Sequence, residues 1–130
     1  METATQEGKV VRTFRDLVAW QKAMTLARSV YEVTTTMPDA EKFGLTMQMR
    51  RSAVSIPSNI AEGHGRQSRA DYLRFLRLAR GSLAELSTQV ELASQIGMLK
   101  CPAALTEQLE EVDRVLQGLI RSVERLADPQ

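Results

Sequence analysis

One cysteine, one histidine and six aromatic residues are all that this 130-residue chain holds of several side chains common in reactive and binding sites. With Cys101 alone, no intrachain disulfide framework exists, and a reducing cytoplasm is the expected compartment. With His64 alone, a His–His metal pair is excluded. Glu62 stands two residues before it, not the three of the Glu-x-x-His motif in di-iron bundles. No apolar run approaches the roughly 18–20 residues of a membrane span, and the opening METATQEGKVV lacks a signal-peptide core. Strand-like alternation, internal repeats and a dinucleotide-binding glycine pattern are missing too, so the expected chain has no cofactor and no membrane contact.

What is present is helical. Seven glycines and four prolines fall at intervals that suit four helices joined by short turns. The expected fold is all-α, an antiparallel up-and-down four-helix bundle over 13–127, with flexible tails at 1–12 and 128–130. Helix one is expected over about 14–35 and helix two over about 40–62, bent at Pro57. Ser68 and Asp71 have capping-box spacing at the start of helix three, which runs to about 96, and Gly97 is the expected stop. Pro102 suits the first turn of helix four, over about 102–127.

The apolar spacing assigns faces to these helices. Leu105, Leu109, Val112, Leu116, Leu119, Val123 and Leu126 form one seam of helix four at alternating steps of four and three. Helix three repeats the pattern from Tyr72 through Leu76, Ala79, Leu83, Leu86 and Val90 to Ala93. In helix two the stripe is Leu45, Met49, Ser52, Ile56 and Ile60. In helix one the expected core side is Leu17, Trp20, Met24, Ala27 and Tyr31, with Leu26 and Val33 turned away.

Helices one to three carry a second apolar stripe, and helix four does not. A single bundle buries one stripe per helix. The excess points to a further contact, most simply with another copy of the chain, through Met47, Val54, Ala61, Leu78, Gly81, Glu85 and Leu92.

The charge is uneven although the net value is only +1. Residues 50–80 hold seven arginines against Glu62 and Asp71, and the last third is acidic. Arg66, Arg69 and Arg77 are candidate phosphate contacts, weighed against a solvated helix surface holding ion pairs. Asn59 and Ser52 lie on or near the core stripe of helix two, where a polar group is costly unless paired. Arg80 flanks the seam of helix three. Ser52, Asn59, Glu62 and Arg80 are therefore expected to form a polar lock that fixes helix register, with a small-molecule site around Asn59, Glu62 and Arg80 as the lesser alternative. Gly63-His64-Gly65 reads as a flexible interhelical turn, and Cys101 as a plain turn residue. No catalytic residue is assigned.

Three blocks, FRDLVAWQKAMTLA at 14–27, RRSAVSIPSNIAEGHGR at 50–66 and FLRLARGSLAEL at 75–86, resemble the four-helix bundle proteins known from 23S rRNA intervening sequences. The likeness spans most of 14–126, with His64 standing where an aromatic is common. It implies a bundle that assembles as a homopentamer and brings no established activity. RNA binding is implied only by the genomic placement of such proteins. A more distant likeness is to the accessory protein of diversity-generating retroelements, a basic pentameric barrel that binds nucleic acid and reverse transcriptase. The implied partners are thus further copies of the chain and, for the outer surface, RNA or a nucleic-acid-processing protein.

Overall fold

The computed structural model describes residues 5–6, 9–100 and 102–126. Cys101 and the 128–130 tail lie outside this range. Four helices make up the domain: α1 (Val18–Thr34), α2 (Leu45–His64), α3 (Arg69–Gln95) and α4 (Ala103–Glu124). Each packs on two neighbours, α1 on α2 and α4, and α3 on α2 and α4, which closes an up-and-down bundle. Ahead of it, β1 (Thr5–Gln6) pairs antiparallel with β2 (Lys9–Val10), and Val11 is buried. The segment expected to be a loose tail therefore contains paired backbone and a core residue.

The seams of α3 and α4 stand as the spacing dictates. All seven seam residues of α3 are buried, as are the six of α4 from Leu105 to Val123, while Leu126 is half-buried. Ser68 caps α3 by accepting the Asp71 amide at 3.1 Å. Asp71 does not complete a reciprocal box with its side chain, which pairs with Arg74 instead. At the other end Gly97 adopts φ +78°, and the amides of Gly97 and Met98 donate to Ser94 O and Ala93 O. That is the hydrogen-bond pattern of a glycine stop in the left-handed region.

Two boundaries depart from expectation. Residues 14–16 form a separate 3₁₀ turn, because the Asp16 carboxylate accepts the amides of Arg12 and Thr13 and pulls the chain into a cap. Leu17 is extended before α1 begins. Residues 39–41 form a second 3₁₀ turn, and α2 starts only at Leu45, whose amide donates to Glu41 Oε2. From there α2 runs through Pro57 as one helix to His64.

The face of α1 is also rotated from the expected one. Ala19, Ala23, Leu26, Ala27, Val30 and Thr34 are buried, whereas Met24 and Tyr31 are 38% and 44% exposed. Small alanines let α1 approach its neighbours closely, and the larger Trp20, Met24 and Tyr31 border the contact rather than filling it. Arg50 on α2 fastens the C-terminal end of α1. Its Nε donates to Thr34 Oγ1 at 2.8 Å, its Nη2 to Tyr31 O at 3.4 Å, and it lies 4.7 Å above the Tyr31 ring. A guanidinium at a helix C-terminus also meets the negative end of the helix dipole.

Candidate functional site

The residues expected to form one polar lock fall into three separate arrangements. Asn59 Nδ2 donates to Ser55 O at 2.8 Å and to Ser55 Oγ at 2.9 Å. Ser55 Oγ in turn meets Ser82 Oγ at 2.8 Å, so the polar link between α2 and α3 is Asn59–Ser55–Ser82. Glu62 pairs with Arg66 one turn on, at 2.6 Å. Arg80 reaches Asp113 on α4 at 3.5 Å. Ser52 is buried, one turn before Ile56 on the core stripe. Arg80 cannot serve both sides of α3: a helix turns about 100° per residue, and its side chain emerges on the α4 side, opposite Ser82. The same separation leaves Asn59, Glu62 and Arg80 without a shared pocket.

The arginines at the start of α3 are held in place. Arg69 donates through Nη1 to Glu124 O at 2.9 Å and Leu126 O at 3.2 Å, closing the end of α4. Arg77 pairs with Glu124 at 3.2 Å. Arg66 and Arg74 both stack on the Phe75 ring, at 4.5 and 4.4 Å from its centroid, while each pairs with a carboxylate on its own side. These contacts bring the α2–α3 turn and the last turn of α4 to one end of the bundle. Arg66, Arg69, Arg74, Arg77, Arg121 and Arg125 gather there against Glu62, Asp71 and Glu124. The ion pairs are with the chain's own acids, and Arg121 and Arg125 beside them are exposed.

Gly63 and His64 do not form a flexible turn. A Cβ on Gly63 would lie 2.8 Å from Phe75 Cβ and 3.2 Å from Tyr72 O, so α2 and α3 meet there at glycine distance. His64 belongs to the last turn of α2, its ring edge-on to Tyr72 with centroids 5.9 Å apart. The buried Tyr72 hydroxyl has no hydrogen-bond partner among the described residues, and burial pushes its pKa up. Partial burial lowers the pKa of His64, and the nearby Asp16 carboxylate offsets this only in part.

This shift has a consequence for stability. The fold favours the neutral ring, so the His64 contribution is fully present above the unfolded-state pKa of about 6.5 and is lost as pH falls below it. Asp16, held below the usual carboxylate range by the Arg12 and Thr13 amides, stays ionised over the same interval. In thermal melts between pH 8 and pH 5, the wild-type Tm should fall further than that of His64→Phe. Equal slopes would show that the His64 proton is not linked to folding.

Two grooves also lie on the surface of the described residues. One, of about 1190 Å³, lies between α3 and α4 and is crossed by the Arg80–Asp113 and Arg77–Glu124 pairs. The other, of about 610 Å³, lies between α1 and α2, walled by Trp20, Met24, Tyr31, Val54, Pro57 and Ala61. The residues expected at an interface between copies sit outside the core: Val54, Leu78, Gly81, Glu85 and Leu92 are exposed, Met47 and Ala61 half-buried. Trp20, Met24 and Tyr31 share the three-and-four spacing of Leu17 and Ala27, which points them to the core, yet they line the second groove. Among the described residues no group of His, Cys, Asp or Glu is placed to hold a metal ion. No helix among them is long and apolar enough to cross a membrane.

Comparison with known proteins gives a family and a fold. A family model described as "23S rRNA-intervening sequence protein" matches residues 15–118. Among solved structures, a protein with unknown function from the S23 ribosomal protein family of Bacteroides thetaiotaomicron superposes with a TM-score of 0.73. It is 24% identical, over 80% of this chain and 96% of that one, a likeness that carries the fold alone. No curated protein matches the chain.

Proposed function

The chain belongs to the 23S rRNA-intervening sequence protein family, and on that premise we propose that it is a non-enzymatic, self-associating scaffold of the cytoplasm that holds RNA, or a protein acting on RNA, at the arginine-rich end of its bundle. The observation that carries the self-association is the distribution of exposed large apolar side chains. Met24, Tyr31, Val54, Leu78, Leu92 and Ile96 lie on or just beyond α1, α2 and α3, Val10 and Phe43 lie in the segments before α1 and α2, and α4 contributes none. Supporting the non-enzymatic part, the polar side chains that could have converged into a site are spent on helix caps, ion pairs and the Asn59–Ser55–Ser82 link. The resemblance puts the number of copies at five.

The RNA contact rests on the six guanidinium groups gathered at one end, two of them pre-oriented on Phe75. A held arginine loses less side-chain freedom when it meets a phosphate. No aromatic platform for unpaired bases accompanies them, so the expected contact is with the backbone of folded RNA and varies little with sequence. For four neutralised phosphates, affinity for an rRNA-derived hairpin should fall on the order of a hundredfold between about 50 and 200 mM salt. Replacing Arg66 and Arg77 together by glutamine should weaken low-salt binding by at least about tenfold. Arg69 is unsuitable for this test, since it closes α4. Absence of binding at low salt, with a protein partner recovered regardless of nuclease treatment, would leave a purely protein-binding module instead.

A further inference from the structure

The exposed apolar residues of α1–α3 do not form one patch but two of opposite shape. The first is concave: the groove between α1 and α2, with Met24, Tyr31 and Val54 on its walls. The second is convex. Leu78, Glu85 and Leu92 follow one another at seven-residue spacing along the outer side of α3, so they line up within about 20° per step. Both leucines are nearly half exposed.

The charges beside the two patches are complementary. Arg28 on the groove wall and Arg51, one turn before Val54, are exposed and have no ion-pair partner among the described residues; with the exposed Glu32 also on the wall, the margin of the groove keeps a net charge of +1. Glu85, between the two leucines of the ridge, is likewise exposed and unpaired. Arg74, Arg77 and Arg80 on the same helix, by contrast, find acids within their own chain.

We infer that the α3 ridge of one copy seats in the α1–α2 groove of the next, with Glu85 brought to Arg28 and Arg51. This rests on the self-association proposed above and adds which surfaces meet. Because the two patches differ, the contact is head-to-tail: each copy offers one unused ridge and one unused groove until the series closes on itself. A two-fold dimer, in which identical patches meet, is excluded by this pairing.

Mixing two blocked variants tests it. Val54→Glu fills the groove of one chain with charge, and Leu78→Glu does the same to the ridge of another. Both positions are exposed, and circular dichroism verifies that each variant keeps its helices. Each alone should run at the mass of one chain by light scattering. An equimolar mixture should give a species of two chains, since one intact groove and one intact ridge remain to pair. A double charge reversal supplies the second measurement: Glu85→Arg and, separately, Arg28→Glu with Arg51→Glu should each disperse the assembly, and mixing these two variants should restore pairing. If the wild type assembles while both blocked variants assemble equally well, the surfaces are wrong although self-association stands. If the blocked variants are single chains that never pair on mixing, the head-to-tail contact is wrong. A wild type that is itself a single chain overturns both the inference and the reading beneath it.

Discussion

Gly63→Ala is expected to destabilise the protein by about 1–3 kcal/mol, while Gly118→Ala stabilises it by about 0.5–1 kcal/mol. Both glycines are helical, Gly118 within α4 and Gly63 in the last turn of α2, where alanine ordinarily gains by restricting the unfolded chain and by its higher helix propensity. The difference lies in what a methyl group meets. At Gly118 there is nothing within 4 Å. At Gly63 the new Cβ would sit 2.8 Å from Phe75 Cβ and 3.1 Å from Tyr72 Cδ1. Neither neighbour yields easily: Phe75 is flanked by two stacked guanidinium groups, and Tyr72 is buried at the head of the α3 seam. The α2–α3 contact must open, and the orientation of His64 against Tyr72 goes with it. Chemical denaturation of the two variants reads the signs directly, and a stabilising Gly63→Ala would mean that the helices do not approach at that point.

Leu76→Ala should cost about 2–5 kcal/mol, and Leu78→Ala less than about 0.5 kcal/mol under conditions that keep the chain monomeric. The chemistry is the same two residues apart, but the helix rotation between them takes the side chain from 0% to 48% exposed. Leu76 loses its transfer free energy and leaves a cavity that fixed neighbours fill only in part. Leu78 has little to lose within one chain, and its effect should appear in assembly instead. Equal costs at the two sites would place the register of α3 in error.

Why α3 and α4 were legible, and α1 was not, follows from what periodicity contains. In α3 and α4 leucine and valine dominate the seam, so size and burial point the same way. In α1 they diverge: three of the six buried residues are alanine, and Trp20, Met24 and Tyr31 are at the margin. The spacing of Leu17, Trp20, Met24, Ala27 and Tyr31 therefore picks a face turned from the one that Leu26 and Val30 bury. The bundle, the outer apolar residues of α3 and the Gly97 stop needed only intrahelical spacing, and they could be read, whereas Leu26 and Val33, expected on the outer side of α1, are buried in or packed against the core.

The polar contacts needed the register between helices, which spacing within one helix does not hold. Ser55 meets Ser82, and Arg80 meets Asp113, only once α2 and α4 are docked on opposite sides of α3. The Gly63 approach was hidden for a related reason. A glycine beside a second glycine and a turn looks like flexibility until the partner helix is in place. The capping of α1 by Arg50 and of α4 by Arg69 belongs to the same class, since each joins residues distant in sequence. Of the seven arginines in residues 50–80, Arg50 and Arg69 hold helix ends, and Arg66, Arg74, Arg77 and Arg80 pair with acids of the chain.

The central claim is that the apolar surface left on α1–α3 is covered by further copies of the chain. The mass of the wild-type protein in solution, measured by light scattering across a hundredfold range of concentration, tests it most directly. The account predicts a stable multiple of the single-chain mass, five by family resemblance, that Val54→Glu and Leu78→Glu each reduce to one. A wild type that stays at the mass of one chain throughout that range would contradict it.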